Sequence, residues 1–230
     1  MIGLPPSAPR YMYSEPEPTP PREDKLVRRA YSVASSSIEK QYVEFYVRLV
    51  TSGSLTPRLF GMNIGDRLWM SPKMKGMFTM DEVPQEQNIM LFATGTGVAP
   101  YMSMLRSSVI SQEKRKYAVM HSALNSWDLG YRSELLTVER LCPNFKYIPL
   151  ISESEKEPIP WGGHIGFVQD LWKKRVVQKI WEHDITPENT RVFLCGHPEM
   201  IREMLELLEE SGFREHTKLE PGSIHLEKYW

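Results

Sequence analysis

From Asn88 onward the sequence alternates short apolar runs with longer amphipathic segments, and that alternation leaves the chain very few folds. Residues 88–93, 116–121, 145–151, 191–195 and 223–229 read as strands. Residues 98–110, 131–140, 168–180 and 198–211 read as the helices between them. Strands that alternate with helices build a parallel, doubly wound sheet, and such sheets take ligands at the carboxyl ends of their strands.

The residues before Asn88 follow a different rule. Segments 29–34, 41–50 and 67–70 are rich in Tyr, Val and Leu, with Gly and Ser between them. Tyr42, Glu44, Tyr46 and Arg48 alternate with Val43, Phe45, Val47 and Leu49, the period of a strand. This predicts an antiparallel, barrel-like all-β unit over residues 1–84, followed by an α/β domain over 85–230. Met1-Ile2-Gly3-Leu4 reads as the tail of a strand. Seven prolines between Pro5 and Pro21 exclude a helix or a central strand there, so 4–26 reads as an exposed, solvated linker.

Composition removes several functions. The chain has 28 Lys+Arg against 29 Asp+Glu, a formal net charge of -1, which argues against nucleic-acid binding by bulk charge. No apolar run approaches the roughly 20 residues of a membrane span. Cys142 and Cys195 cannot build a disulfide framework, and no Cys/His spacing suggests a metal site; His164, His183 and His216 are scattered. The first residues lack the pattern of a secretory signal, so a cytoplasmic protein is expected.

Four motifs carry chemistry. Thr94-Gly95-Thr96-Gly97 follows a buried strand and opens a helix, the setting in which backbone N–H groups meet a pyrophosphate; a tight structural turn is the alternative reading. Cys195-Gly196-His197-Pro198-Glu199-Met200 joins another strand end to a helix start, at the same edge of the sheet. A free cysteine there is by itself most simply a small buried residue. Arg29-Ala30-Tyr31-Ser32 offers a guanidinium fork, an aromatic plane and a hydroxyl from one strand. The terminal Glu227-Lys228-Tyr229-Trp230 places two aromatic rings where they need a partner.

In this order and spacing, these motifs resemble the plant-type ferredoxin–NADP reductase superfamily, most closely its bacterial ferredoxin/flavodoxin reductases. Glu44-Phe-Tyr-Val47 and Gly53-Ser-Leu-Thr-Pro-Arg-Leu59 belong to the same resemblance, which runs from Met1 to Trp230. It implies an FAD-binding Greek-key barrel followed by a nucleotide-binding α/β domain. It also implies an enzyme that exchanges a hydride with NAD(P)H and single electrons with a ferredoxin or flavodoxin. By this likeness Arg29 meets the FAD pyrophosphate, Tyr31 packs on the isoalloxazine, and Ala30 and Ser32 complete the motif, with Ser32 near flavin N5. Tyr46 and the Gly53, Ser54, Leu55, Thr56 loop are further FAD contacts, and Thr96 joins them or serves the dinucleotide loop of Thr94, Gly95 and Gly97. Ala123, Leu124, Ser152 and Glu153 fall on the nucleotide side, as do Gly196, His197 and Met200. Cys195 lies beside the nicotinamide and Glu227 near the active centre. Tyr229 stacks on the flavin and moves aside for hydride transfer, and Trp230 covers the adenine side.

Three departures from the family refine the expectation. More residues usually precede Arg-x-Tyr-Ser, so about two initial barrel strands are expected to be missing, leaving an open edge. The Pro-rich stretch stands where the family has a shorter hairpin loop. At positions where NADPH-specific relatives usually carry arginines, this sequence has Leu124, Glu153 and Phe167. A carboxylate repels a phosphate and accepts bonds from a ribose diol, which favours NADH; the alternative is that Arg132 or Lys156 serves a 2′-phosphate. The basic run Lys173-Lys174-Arg175 reads as a solvated helix face that could also attract an acidic partner. A monomer is expected. A flavin reductase or oxygenase-coupled NADH reductase, and a degenerate nucleotide-binding subunit, remain the competing readings.

Overall fold

The run at residues 88–94 becomes the centre of the larger sheet because its inner residues, Ile89 to Ala93, are all apolar and all buried. In the computed structural model, which describes residues 1–73, 76–108, 110 and 114–228, it forms strand β4 (Asn88–Thr94). Around it lie β5 (Tyr117–Ala123), β6 (Phe145–Ile151), β7 (His164–Ile165), β8 (Thr190–Cys195) and β9 (Ile224–Glu227). The order is β7-β6-β5-β4-β8-β9 and every pairing is parallel. Helices α2 (Ala99–Ser107), α3 (Arg132–Leu141), α4 (Val168–Lys173), α5 (Val176–Trp181) and α6 (Pro198–Glu210) make the crossovers.

The period of two sorts β4 between two buried faces. Met90 and Phe92 join Met120, Ile148, Leu150 and Leu194 in one core, closed by residues of α4, α5 and α6. Ile89, Leu91 and Ala93 point the other way and are as fully buried. Right-handed crossovers account for this, since β4-α2-β5 and β5-α3-β6 step in one direction and the later units in the other. Tyr101 of α2 carries its hydroxyl into the core and donates it to the Phe92 carbonyl at 2.8 Å.

The chain falls into two compact units, residues 1–33 with 44–77, and residues 34–43 with 78–230. In the first, β1 (Ile2–Leu4) is the middle of a three-stranded antiparallel sheet between β2 (Val27–Arg29) and β3 (Trp69–Met70). Met1-Ile-Gly-Leu4 is thus strand, as its apolar pattern implies. Ile2, Leu4, Val27 and Leu55 form a small core, with Tyr31, Phe45 and Leu59 packed on it. Helix α1 (Thr56–Phe60) follows the loop at 50–55.

The structure corrects several element assignments. Segment 41–50 is not a continuous strand; only Val33 and Phe45 form an antiparallel bridge. Phe45 packs on the small core and residues 44–47 are half-buried, but among the described residues no neighbouring strand pairs with the segment beyond that one bridge, so its alternation builds no ladder. The single helix expected over 168–180 breaks into α4 and α5 at Arg175, whose φ of +55° lies in the left-handed region. No Gly or Pro marks that break. Residues 95–98 form a 3-10 turn before α2, and β7 is too short to register as a pattern. The Pro-rich segment is the largest correction. Its first half is not a solvated linker: Tyr11 N–H donates to the Pro57 carbonyl at 2.8 Å, and Glu15 N–H to the Thr51 carbonyl at 3.1 Å.

Tyr101→Phe removes a buried donor from the centre of the sheet and leaves packing nearly unchanged. Its expected cost is about 1–2 kcal/mol of unfolding free energy. Urea denaturation checks this as a lower midpoint with an unchanged slope.

Candidate functional site

Two turns at the middle of the large sheet lock each other in place. Strand β4 lies between β5 and β8, so the strand order runs outward from it in both directions. The carboxyl ends of β4 and β8 therefore flank the crevice where such sheets take ligands. Gly95, at φ +51°, turns the chain out of β4 in a conformation that glycine adopts without strain. A side chain at Gly97 would overlap the Cys195 carbonyl, and one at Gly196, at φ +143°, would overlap the Thr94 hydroxyl. His197 N–H donates to Thr94 Oγ1 at 2.6 Å. The Thr94 hydroxyl is thus an acceptor in the joint between the turns. Thr96 is half-buried in the same turn.

A residue that the motifs did not single out supports this turn from below. His121, in β5, is fully buried and donates from Nε2 to the Gly95 carbonyl at 3.0 Å. Tyr147 OH lies 3.3 Å from its Nδ1. Burial pushes the imidazole down to about 4, outweighing the opposing pull of the Gly95 carbonyl, so the ring is neutral at pH 7. The signal available in the sequence was an ionisable side chain inside a largely apolar strand.

Cys195 and Glu227 end neighbouring parallel strands in register. The Cys195 thiol points at Glu227 Oε2 across 3.9 Å and is 0% exposed, while Glu227 is half-buried. His197 caps α6, its Nδ1 accepting from Glu199 N–H at 3.3 Å, and Met200 turns into the core. Tyr229 and Trp230 lie outside the described residues.

The ends of β5 and β6 form a third piece. Ser152 N–H donates to the Ala123 carbonyl at 3.1 Å and Glu153 N–H to that of Leu124 at 2.9 Å. Asn125 Nδ2 reinforces this by donating to the Glu153 carbonyl at 3.1 Å. The Glu153 carboxylate holds Lys156 Nζ at 2.6 Å, and that bond holds the lysine above its ordinary range. Leu124 is 40% exposed and Phe167 58%, so both face solvent as apolar surface. Arg132 lies over the Trp161 ring, 4.9 Å from its centroid.

In the first unit, Arg29 ends β2 and is exposed. Among the described residues its guanidinium donates to the Arg28 carbonyl at 2.8 Å. Ala30 is exposed and Ser32 half-buried. Tyr31 packs on the small core, and burial raises its phenol above the usual range against the opposing charge of Arg29. Tyr46 is half-buried. At the loop before α1, Gly53 N–H donates to the Val50 carbonyl at 2.9 Å. Thr56 Oγ1 both donates to the Val50 carbonyl and accepts from Val50 N–H, each at 3.0 Å. Leu55 is buried and Ser54 half-buried.

Comparison with known proteins matches residues 91–206 to the oxidoreductase NAD-binding domain and residues 18–77 to the oxidoreductase FAD-binding domain. A flavodoxin/ferredoxin–NADP reductase of Buchnera aphidicola subsp. Baizongia pistaciae is 30% identical over 210 residues, covering 91% of this chain and 83% of that one. A ferredoxin–NADP reductase of Azotobacter vinelandii is 28% identical over 216 residues, covering 90% of this chain and 81% of that one. Among solved structures, a ferredoxin NADP+ reductase from Neisseria gonorrhoeae with bound FAD and NADP superposes with a TM-score of 0.81 at 22% identity, covering 100% of this chain and 84% of that one.

Two outcomes follow from the joint and its support. Gly97→Ala forces the two turns apart at backbone level and is expected to cost about 1–3 kcal/mol of unfolding free energy, measured as a lower urea midpoint. His121 carries a folded-state value near 4 against 6.5 when unfolded. The unfolded chain therefore binds its proton first as pH falls. The stability present above pH 6.5 is lost progressively toward pH 4, by at most about 3 kcal/mol for this one group. Urea denaturation between pH 7 and pH 4.5 checks this, and His121→Phe is expected to flatten that part of the profile.

Proposed function

The chain belongs to the flavodoxin/ferredoxin–NADP reductase family, and we propose from this that it exchanges a hydride with NADH and single electrons with a ferredoxin or flavodoxin. It is an FAD-dependent oxidoreductase. FAD, when bound, supplies the means of converting a two-electron hydride into single electrons. The protein's part is to bind, orient and shield.

The donor set suits a flavin dinucleotide. Arg29 presents an exposed guanidinium to a pyrophosphate, and Tyr31 and Tyr46 present aromatic faces for a flat ring. Ser32 supplies a hydroxyl beside them, and within the loop Gly53–Thr56 the backbone N–H groups of Ser54 and Leu55 supply donors for a phosphate oxygen. On the nucleotide side, the turn at Gly95, Thr96 and Gly97 cradles the dinucleotide phosphates. Cys195 is a small, apolar wall for the nicotinamide, with its thiol direction fixed by Glu227. Glu227 takes no obligatory proton in this reading. Leucine and phenylalanine at 124 and 167 offer no charge for a 2′-phosphate. The Glu153 carboxylate repels one and accepts from a ribose diol, although Lys156 offsets part of its charge.

The observation that carries the reading is the convergence on one sheet edge of the interlocked glycine turns with the Cys195–Glu227 pair. The visible spectrum of the protein supplied with FAD tests it. Bleaching of a bound flavin by anaerobic NADH is expected; a protein that takes up no FAD, or a bound flavin that neither nucleotide reduces, contradicts it. For the nucleotide, NADH is expected to give the higher kcat/KM, and Glu153→Arg is expected to shift the ratio toward NADPH by about tenfold or more. A wild-type preference for NADPH of that size removes the NADH part of the reading.

A further inference from the structure

The Pro-rich segment grips the loop that the FAD reading assigns to phosphate binding, and the grip is polar. Arg58 of α1 is 3% exposed, and its guanidinium is bonded on every side. Nε and Nη2 donate to the Pro6 carbonyl at 3.1 and 2.7 Å. Nη1 and Nη2 donate to the two oxygens of Glu17 at 2.8 and 2.9 Å, the fork-to-carboxylate geometry that arginine matches best. Nη1 also donates to the Ser54 carbonyl at 2.6 Å. Arg10, from the same Pro-rich stretch, donates to the Gly53 carbonyl at 3.0 Å and lies 3.3 Å from Glu17. A further bond joins it to the Thr51 carbonyl at 3.4 Å. The Arg58 guanidinium holds the Glu17 carboxyl below the usual carboxylate range, so the anion is present throughout the neutral region.

The carbonyls that these arginines take matter more than their number. In a trans peptide the C=O and the following N–H point in opposite directions. Drawing the Gly53 and Ser54 carbonyls down onto Arg10 and Arg58 turns the N–H groups of Ser54 and Leu55 to the opposite side of the loop. The Thr51 carbonyl, held by Arg10 and by Glu15 N–H, does the same for Ser52. The loop's donors are thereby oriented before any anion arrives. Glu17 holds the two cations together, and its charge keeps them on the carbonyls.

We propose that Arg10, Glu17 and Arg58 are positioning residues for the FAD phosphate, acting through the peptide planes of residues 51–55. The Pro-rich insertion is thus a part of the cofactor site. Proline suits this task because a chain that cannot form a helix or a ladder leaves its carbonyls free for guanidinium donors. The inference rests on the FAD reading given above.

The test compares two flavins on the full chain by fluorescence quenching: FAD, and riboflavin, which has the ring system and no phosphate. In Glu17→Ala the Kd for FAD is expected to rise about tenfold or more, with riboflavin changed by less than about twofold. A merely structural loss weakens both alike, and that result overturns the proposal, as does an unchanged FAD Kd. Arg10→Met, which leaves the buried Arg58–Glu17 pair in place, is expected to shift the same ratio in the same direction. It decides the matter if Glu17→Ala fails to fold, and an unchanged ratio there also overturns the proposal. Wild-type protein that binds no FAD removes the function reading, and the proposal with it; wild-type binding with unaltered variants removes the proposal alone.

Discussion

The contact between the turn after β4 and the turn after β8 is the constraint from which the large unit takes its working geometry. Backbone meets backbone where Gly97 lies against the Cys195 carbonyl, and Gly196 and His197 N–H close on the Thr94 hydroxyl beside it. Backbone in this proximity cannot give way as a rotating side chain can, so the two strand ends are held in a fixed relation. The consequences propagate outward. Cys195 is held where its thiol meets Glu227, and the 3-10 turn at Gly95–Val98 is held where His121 reaches its carbonyl. The buried His121 and the Thr94 hydroxyl each have a partner here, which is what burial demands of polar groups.

The physics of the two units differs. The large unit has a sheet buried on both faces, and its stability comes from apolar area, with a few hydrogen bonds such as Tyr101 to Phe92 setting position. The small unit has a four-residue core and leans on guanidinium–carbonyl bonds to tie its loops down. That division follows from sequence. Residues 88–94 contain no charge, while residues 5–26 contain prolines and charged residues with little apolar surface to bury.

The parallel sheet was legible because strands buried on both faces leave continuous apolar runs, and because Gly95, Gly97 and Gly196 mark turns that other residues cannot make. The family resemblance extended this to the cofactor. What escaped was information held between distant residues. Arg58 and Glu17 are 41 positions apart, and neither one alone says that a Pro-rich stretch is docked. Arg175 breaks a helix without any residue type that announces it. The alternation over 41–50 was real, but a strand requires a partner as well as a pattern. His121 reads as one more strand residue until its neighbour at Gly95 is known.

The buried bidentate pair also has a meaning for inheritance. Glu17 sits in a segment of a kind that insertion and deletion usually reshape freely, yet its partner sits in a helix that carries the loop before it. A deletion that removed Glu17 while retaining Arg58 would strand a cation in a protein interior, and a lost arginine would strand the carboxylate. A replacement in the Pro-rich stretch therefore has to be compatible with helix α1, a constraint of the kind that core residues place on one another.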